Sequence, residues 1–298
     1  GKAKIETIGT DIATGISGGD LTLAGKANTP LTGSLKVEAS SDADAPMGSG
    51  IFAESIDVQS ELAMRVTVRT EAENEFGYAS SYGMFSGDNQ FAGFSDKFRL
   101  TVQAASEMNA DAYGIAGETA IDGALAGKIV VQSEGLYGDG ANAYGFYGSV
   151  ATQSVSNKFK LEVESRSRAG FAGAYGFSND FTADELLTGT VIVKAQTTEG
   201  IFSMAGGFGL VSDVAGVSDR FELNVQAKGG WSQAIAYGVS GTFSTGGTLG
   251  GTFKIKADGC NIDSEIEPYG TEAYGFSGAV SAQSTSYKFN LDVLAKAQ

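Results

Sequence analysis

Six-residue words in which apolar and polar positions alternate recur along this chain: KFRLTV at 97–102, KFKLEV at 158–163, RFELNV at 220–225 and KFNLDV at 288–293. In the second of them Phe159, Leu161 and Val163 alternate with Lys158, Lys160, Glu162 and Glu164. A period of two predicts a strand with one buried and one wet face. Between these words lies another, built around Ala-Tyr-Gly-Phe: DAYGIAG at 111–117, NAYGFYG at 142–148, GAYGFSN at 173–179, IAYGVSG at 235–241 and TEAYGFSG at 271–278. It reads as a short second strand whose glycine marks a bend or a close backbone approach. No stretch shows a 3.6-residue period with capping residues, and ADELL at 183–187 predicts no more than a helical turn. The pattern predicts an all-β chain with two or three strands per repeat.

The glycine of the second word measures the repeat. It stands at Gly83, Gly114, Gly145, Gly176, Gly207 and Gly238 at steps of 31 residues, then at Gly275 after a step of 37. Upstream, Gly15 and Gly50 precede it by steps of 35 and 33, giving nine copies over essentially the whole chain. The basic residues that open the alternating word, Lys97, Lys158, Arg220 and Lys288, mark every second repeat. In the intervening repeats the word begins at Gly127, Gly189 and Gly251, each 62 residues apart. The array therefore has two alternating kinds of unit and a 62-residue super-period. Variable segments separate the words, among them ASEMNAD at 105–111, SRSRAGFAG at 165–173 and DGCNIDSEIEPYGTE at 258–272; they read as exposed loops, and the last holds the additional residues of the final unit.

A β-solenoid, a parallel β-helix of about nine such units running as one continuous array over residues 1–298, accounts best for the fixed period. Each residue then stacks on its own copy one coil away, and a slip of one position would turn every inward side chain outward. The alternative is an antiparallel meander closed as an outer-membrane β-barrel that conducts small solutes. Words such as ATGIS, AYGIAG and AYGFYG, alternating with LTGSLKVEA, LTGTVIVKA and LGGTFKIKA, resemble the repeats of bacterial autotransporter-passenger-like and adhesin-like surface proteins. That resemblance implies a parallel β-helix, secretion and a structural or adhesive role. The chain opens on KAKIETIG, a strand word in progress, and closes on YKFNLDVLAKAQ. Neither end reads as a polar cap, so a section of a longer array or end-to-end self-association is expected.

Composition narrows the chemistry. The net charge is −15, and Gly is 43 of 298 residues with only 3 Pro, which excludes collagen. An acidic surface disfavours nucleic acid and anionic membranes, and no stretch is apolar for long enough to make a membrane helix. There is no His, so the commonest general base and metal ligand is missing. The single Cys260 permits neither an internal disulfide nor a multi-cysteine zinc site, and reads as a turn residue.

Paired carboxylates occur at Asp42 and Asp44 and at Glu71, Glu73 and Glu75, without the spacing of a known calcium loop. They read as acidic surface rather than metal ligands. Trp231 reads as a loop residue in preference to a sugar-stacking platform. Tyr113, Tyr144, Tyr175, Tyr237 and Tyr274 fall at one position of the repeat and would form a ladder. The sequence thus predicts no catalytic residue, metal site or cofactor. It predicts a structural or adhesive solenoid of the cell surface or extracellular space, its partners being copies of itself and a glycan or host-surface ligand. A solenoid enzyme acting on polysaccharide through loop carboxylates is the weakest reading.

Overall fold

The computed structural model describes residues 2–24, 29–41, 45–73, 77–136, 140–230, 233–259 and 271–297. These form twenty-six strands and no helix. Every ladder between named strands is parallel, from the pairing of Lys2–Gly9 with Thr32–Ser41 to that of Thr252–Gly259 with Asn290–Ala297. The fold is a β-solenoid. Parallel neighbours cannot be joined by hairpins, and this overturns the antiparallel barrel.

Each full coil contributes three strands. The alternating word enters a ten-stranded sheet. The marker word, as in Gly140–Tyr147, and a third strand, as in Val150–Val155, form two further ladders. In two coils the marker and third strands run on without a break, Tyr78–Phe91 and Asn109–Leu125, and so join those ladders into one sixteen-stranded sheet. The inward positions of the ten-stranded sheet stack coil upon coil. Leu100, Ile129, Leu161, Val191, Leu223 and Phe253 form one column, each at most 1% exposed. Facing them, Phe146, Phe177 and Phe208 stack at centroid distances of 5.0 Å, close to the strand spacing of about 4.8 Å. Inter-coil spacing and aromatic stacking distance agree, so rings in register gain contact without distorting the backbone.

The 62-residue super-period is a property of one corner. Between third strand and ten-stranded sheet the chain spends residues 126–127, then 156–159, then 188–189, then 218–221, then 250–251, then 286–289. Corners of two and four residues thus alternate. In the four-residue corner the Phe159 N–H donates to the Ser156 carbonyl at 2.9 Å, and Phe221 does the same to Ser218 at 3.0 Å. In the two-residue corner Gly127, Gly189 and Gly251 adopt φ of 82°, 88° and 84°, a conformation disfavoured for residues with a Cβ. A Cβ on Gly189 would also lie 2.7 Å from the Phe159 carbonyl oxygen beneath it.

Two expectations are corrected. ADELL is not a helical turn but part of the strand Phe181–Leu187, irregular between Ala183 and Leu186. Ala183 pairs with Thr152 and Val214, and Leu186 and Leu187 pair with Gly216 and Val217; these partners override a weak local helix preference. The segments 105–111 and 165–173 leave their strands only at 107–108 and 168–170: Arg99–Ser106 is followed by Asn109–Leu125, and Lys160–Ser167 by Phe171–Phe177. Their sequence variation lies on strand ends. The segment 258–272, which holds Cys260, falls mostly outside the described residues.

Candidate functional site

The nine repeat glycines form a single column where the marker ladder lies on the ten-stranded sheet. A Cβ on Gly114 would stand 2.4 Å from the carbonyl oxygen of Gly145 and 2.9 Å from Val131 Cγ2. At Gly50, Gly83, Gly145, Gly176, Gly207 and Gly238 the carbonyl oxygen of the next marker glycine would be 2.4–2.6 Å away, and at Gly15 2.8 Å. Gly275 faces Leu291 at 2.8 Å. The glycines leave room here for side chains of the ten-stranded sheet, Val131 under Gly114 and Leu161 under Gly145, to pack against bare backbone.

The marker-strand residue just before this contact points outward. Tyr82, Tyr113, Tyr144 and Tyr175 stack with centroids 4.8–5.1 Å apart and planes within 12°. Tyr237 and Tyr274 stack at 5.2 Å. The expected ladder therefore exists, extended by Tyr82 and interrupted at Gly206, which occupies the register position between Tyr175 and Tyr237. Burial pushes the Tyr78 and Tyr175 hydroxyls up to about 12, and the Asp111 carboxylate adds to this at Tyr78, which hydrogen-bonds it. Burial raises Tyr113 and Tyr144 further still, with neighbouring Asp111 and Tyr hydroxyls contributing. These phenols are neutral at any physiological pH, so the ladder acts as an apolar stack with polar edges.

The outer face of the ten-stranded sheet carries ion pairs, among them Lys36 with Glu38 at 2.7 Å and Arg69 with Glu71 at 2.9 Å. Burial works to raise the Glu162 pKa, but the ammoniums of Lys128 and Lys160, at 2.6 and 2.5 Å, outweigh it and hold the carboxyl below its ordinary value. The four-residue corners reach past the recessed glycine corners. Lys158 pairs with Asp96 at 2.5 Å, and Lys288 with Asp219 at 3.4 Å.

The third ladder differs. None of its strands carries Lys or Arg, from Asp20–Leu23 through Val150–Val155 to Val280–Thr285. Across its outer face runs a groove of about 560 Å³, lined over successive coils by Ser55, Asp57, Asp88, Glu118, Ser149 and Asp180. Among the described residues no ion pair engages these carboxylates.

Of the carboxylates singled out in the sequence, Glu71 pairs with Arg69, and Glu73 accepts a hydrogen bond from Ser40 Oγ at 3.0 Å. Asp42, Asp44, Glu75, Trp231 and Cys260 lie outside the described residues. Among the described residues no three His, Cys, Asp or Glu converge as metal ligands. The groove was missed because its residues are spread a few per coil over successive coils; the available signal was the absence of any basic residue from one strand of every repeat. No protein family, curated protein or solved structure matches the chain.

Proposed function

We propose that this chain is a structural β-solenoid, a stalk, adhesin scaffold or filament segment of a cell surface or the extracellular space, with no catalytic role. The observation that carries the reading is the continuity of the core toward an open face. Phe253 and Ile255 are 0% and 1% exposed, whereas Leu291 and Val293, stacked directly on them, are 41% and 40% exposed. The last described coil thus presents core residues and an unpaired strand edge shaped to receive another coil in the same register. A second copy stacked in the same register would cover it, and the array would extend by the same rule that builds it. Repetition supports the structural role as well: glycine, tyrosine and aliphatic columns recur in nearly every coil, whereas a catalytic constellation is needed once. The net charge of −15 and near-absence of cysteine suit a secreted surface protein.

Electron microscopy tests this. Nine coils at about 4.8 Å make a rod of roughly 40 Å. The expected particles are such rods joined end to end, and Leu291→Asp with Val293→Asp would return them to single rods. Single short rods at every protein concentration, unaltered by those substitutions, would overturn the end-face reading.

A further inference from the structure

We propose that the acidic groove on the third ladder seats a second copy of this chain, which lays against it a ridge of cations from its own ten-stranded sheet. The two surfaces are built alike. On the groove side, Ser55, Asp88, Glu118 and Ser149 occupy one register position in successive coils, and Asp180 continues that row along the groove. On the ridge side, Arg65, Arg99, Lys128 and Lys160 share one register position in four successive coils. These cations alternate with buried Val66, Leu100, Ile129 and Leu161, so they point outward.

Neither row is fully neutralised within the coil stack. The groove carboxylates have no cationic partner among the described residues. On the ridge, Glu162 is shared by Lys128 and Lys160. Arg99 donates to the carbonyl oxygens of Asp96 and Phe98 at 2.7 and 2.6 Å, which leaves its charge uncompensated. Among the described residues Arg65 has no carboxylate within ion-pair distance. The ridge adjoins the four-residue corner that carries Lys158, whose side chain is 69% exposed.

The spacing selects the occupant. Both rows repeat at the coil rise of about 4.8 Å. A partner whose cations share that repeat can face Asp88 and Glu118 in adjacent coils and Asp180 two coils further on, and this chain carries such a row. Because groove and ridge are different patches, the contact is heterologous and does not close on a dimer; it lays rods side by side. This contact is lateral and stands independently of the end faces.

The net charge of −15 opposes approach at low ionic strength. Near 0.1 M salt the screening length falls to about 10 Å, so long-range repulsion fades while contact pairs survive. Association is therefore expected to peak at intermediate salt and vanish near 1 M.

Sedimentation velocity of the full chain tests this with two double variants at exposed positions, Asp88→Lys with Glu118→Lys and Arg65→Glu with Arg99→Glu. Each variant alone should associate at least about tenfold more weakly than the wild type at 0.1 M salt, and an equimolar mixture should recover the loss. Retained β circular dichroism in each variant excludes unfolding as the cause. The proposal is overturned if the wild type sediments as one species at all salt concentrations, or if the variants associate like the wild type. A mixture no better than its components also overturns it. Binding of a linear tetraamine by a wild type that does not self-associate would reassign the groove to a small polycation. Association unaltered by Leu291→Asp with Val293→Asp but lost in the charge variants would leave this proposal standing and fail the end-face reading alone.

Discussion

Gly145→Ala isolates the contact on which the coil depends. The new Cβ would sit 2.6 Å from the Gly176 carbonyl oxygen and 2.8 and 3.0 Å from the two Leu161 methyls. Ordinary contact begins near 3.4 Å. The Leu161 methyls can rotate by a few tenths of an ångström, but the carbonyl belongs to the backbone of the next coil and is fixed by its own ladder. Overpacking of this kind costs about 1–3 kcal/mol. Loss of glycine freedom in the unfolded chain returns roughly 0.4–1 kcal/mol. The net expectation is a destabilisation of about 1–2 kcal/mol. Gly246→Ala is the control, since its Cβ would meet nothing nearer than the Ala215 carbonyl at 3.9 Å; it should be neutral or slightly stabilising. Urea unfolding reads both, as a lowered midpoint at unchanged slope for the first and no loss for the second. Equal midpoints for Gly145→Ala and Gly246→Ala would refute close approach as the reason for the glycine column. Gly176→Ala added to Gly145→Ala should cost less than the sum of the two, because the first substitution already displaces the carbonyl that the second would carry outward.

Gly206→Tyr should close the gap in the tyrosine ladder. The Cβ would lie 3.3 Å from Tyr175 Cδ1, so that ring yields slightly and two new stacked pairs form, raising stability by about 0.5–1.5 kcal/mol in urea melts; a loss of stability would show that the gap is not ring-shaped. Raised phenol pKa values favour the protonated folded state, so this contribution is complete below pH 10 and is lost as pH climbs toward about 12, the value at Tyr78 and Tyr175; tyrosinate absorbance at the ordinary pH, without loss of stability, would contradict it. At the corner, a double-mutant cycle on Asp96 and Lys158, whose side chains are 42% and 69% exposed, should give a coupling of about 0.2–1 kcal/mol that disappears in 1 M salt, and a larger or salt-insensitive value would rule out a simple surface pair.

Much of the fold is legible in the sequence because in-register stacking writes each structural requirement once per coil. The Phe159, Leu161, Val163 alternation, the glycine step of 31 and the super-period of 62 each correspond to a physical column. The gap in the tyrosine ladder is legible too, in AGGFG at 205–209 where other repeats carry Ala-Tyr-Gly. The third ladder was harder to see. Val150–Val155 and Val211–Val217 alternate weakly, and irregularities such as that between Val214 and Val217 break the period of two. ADELL failed for the same reason, since local pattern carries little weight where a neighbouring coil holds the backbone extended. The groove was hard to read because a surface made of a few residues from each coil has no compact motif, and its charge emerges only when strands far apart in sequence are assigned to one face.

Stacking in register also explains why the surface matters more than the composition. A column of aromatic or aliphatic residues gains with every coil, since each ring or methyl finds its own kind at contact distance. A column of like charges loses with every coil: unit charges about 5 Å apart repel by roughly 0.8 kcal/mol even at the dielectric of water. Arg65, Arg99, Lys128 and Lys160 form such a column, and Glu162 offsets only its last two members. Asp88 and Glu118 adjoin in the same way on the opposite ladder. An isolated rod bears both repulsions. A rod whose ridge enters a neighbour's groove converts both into attraction at the same spacing, so the two unfavourable columns become mutually stabilising only in the assembled state.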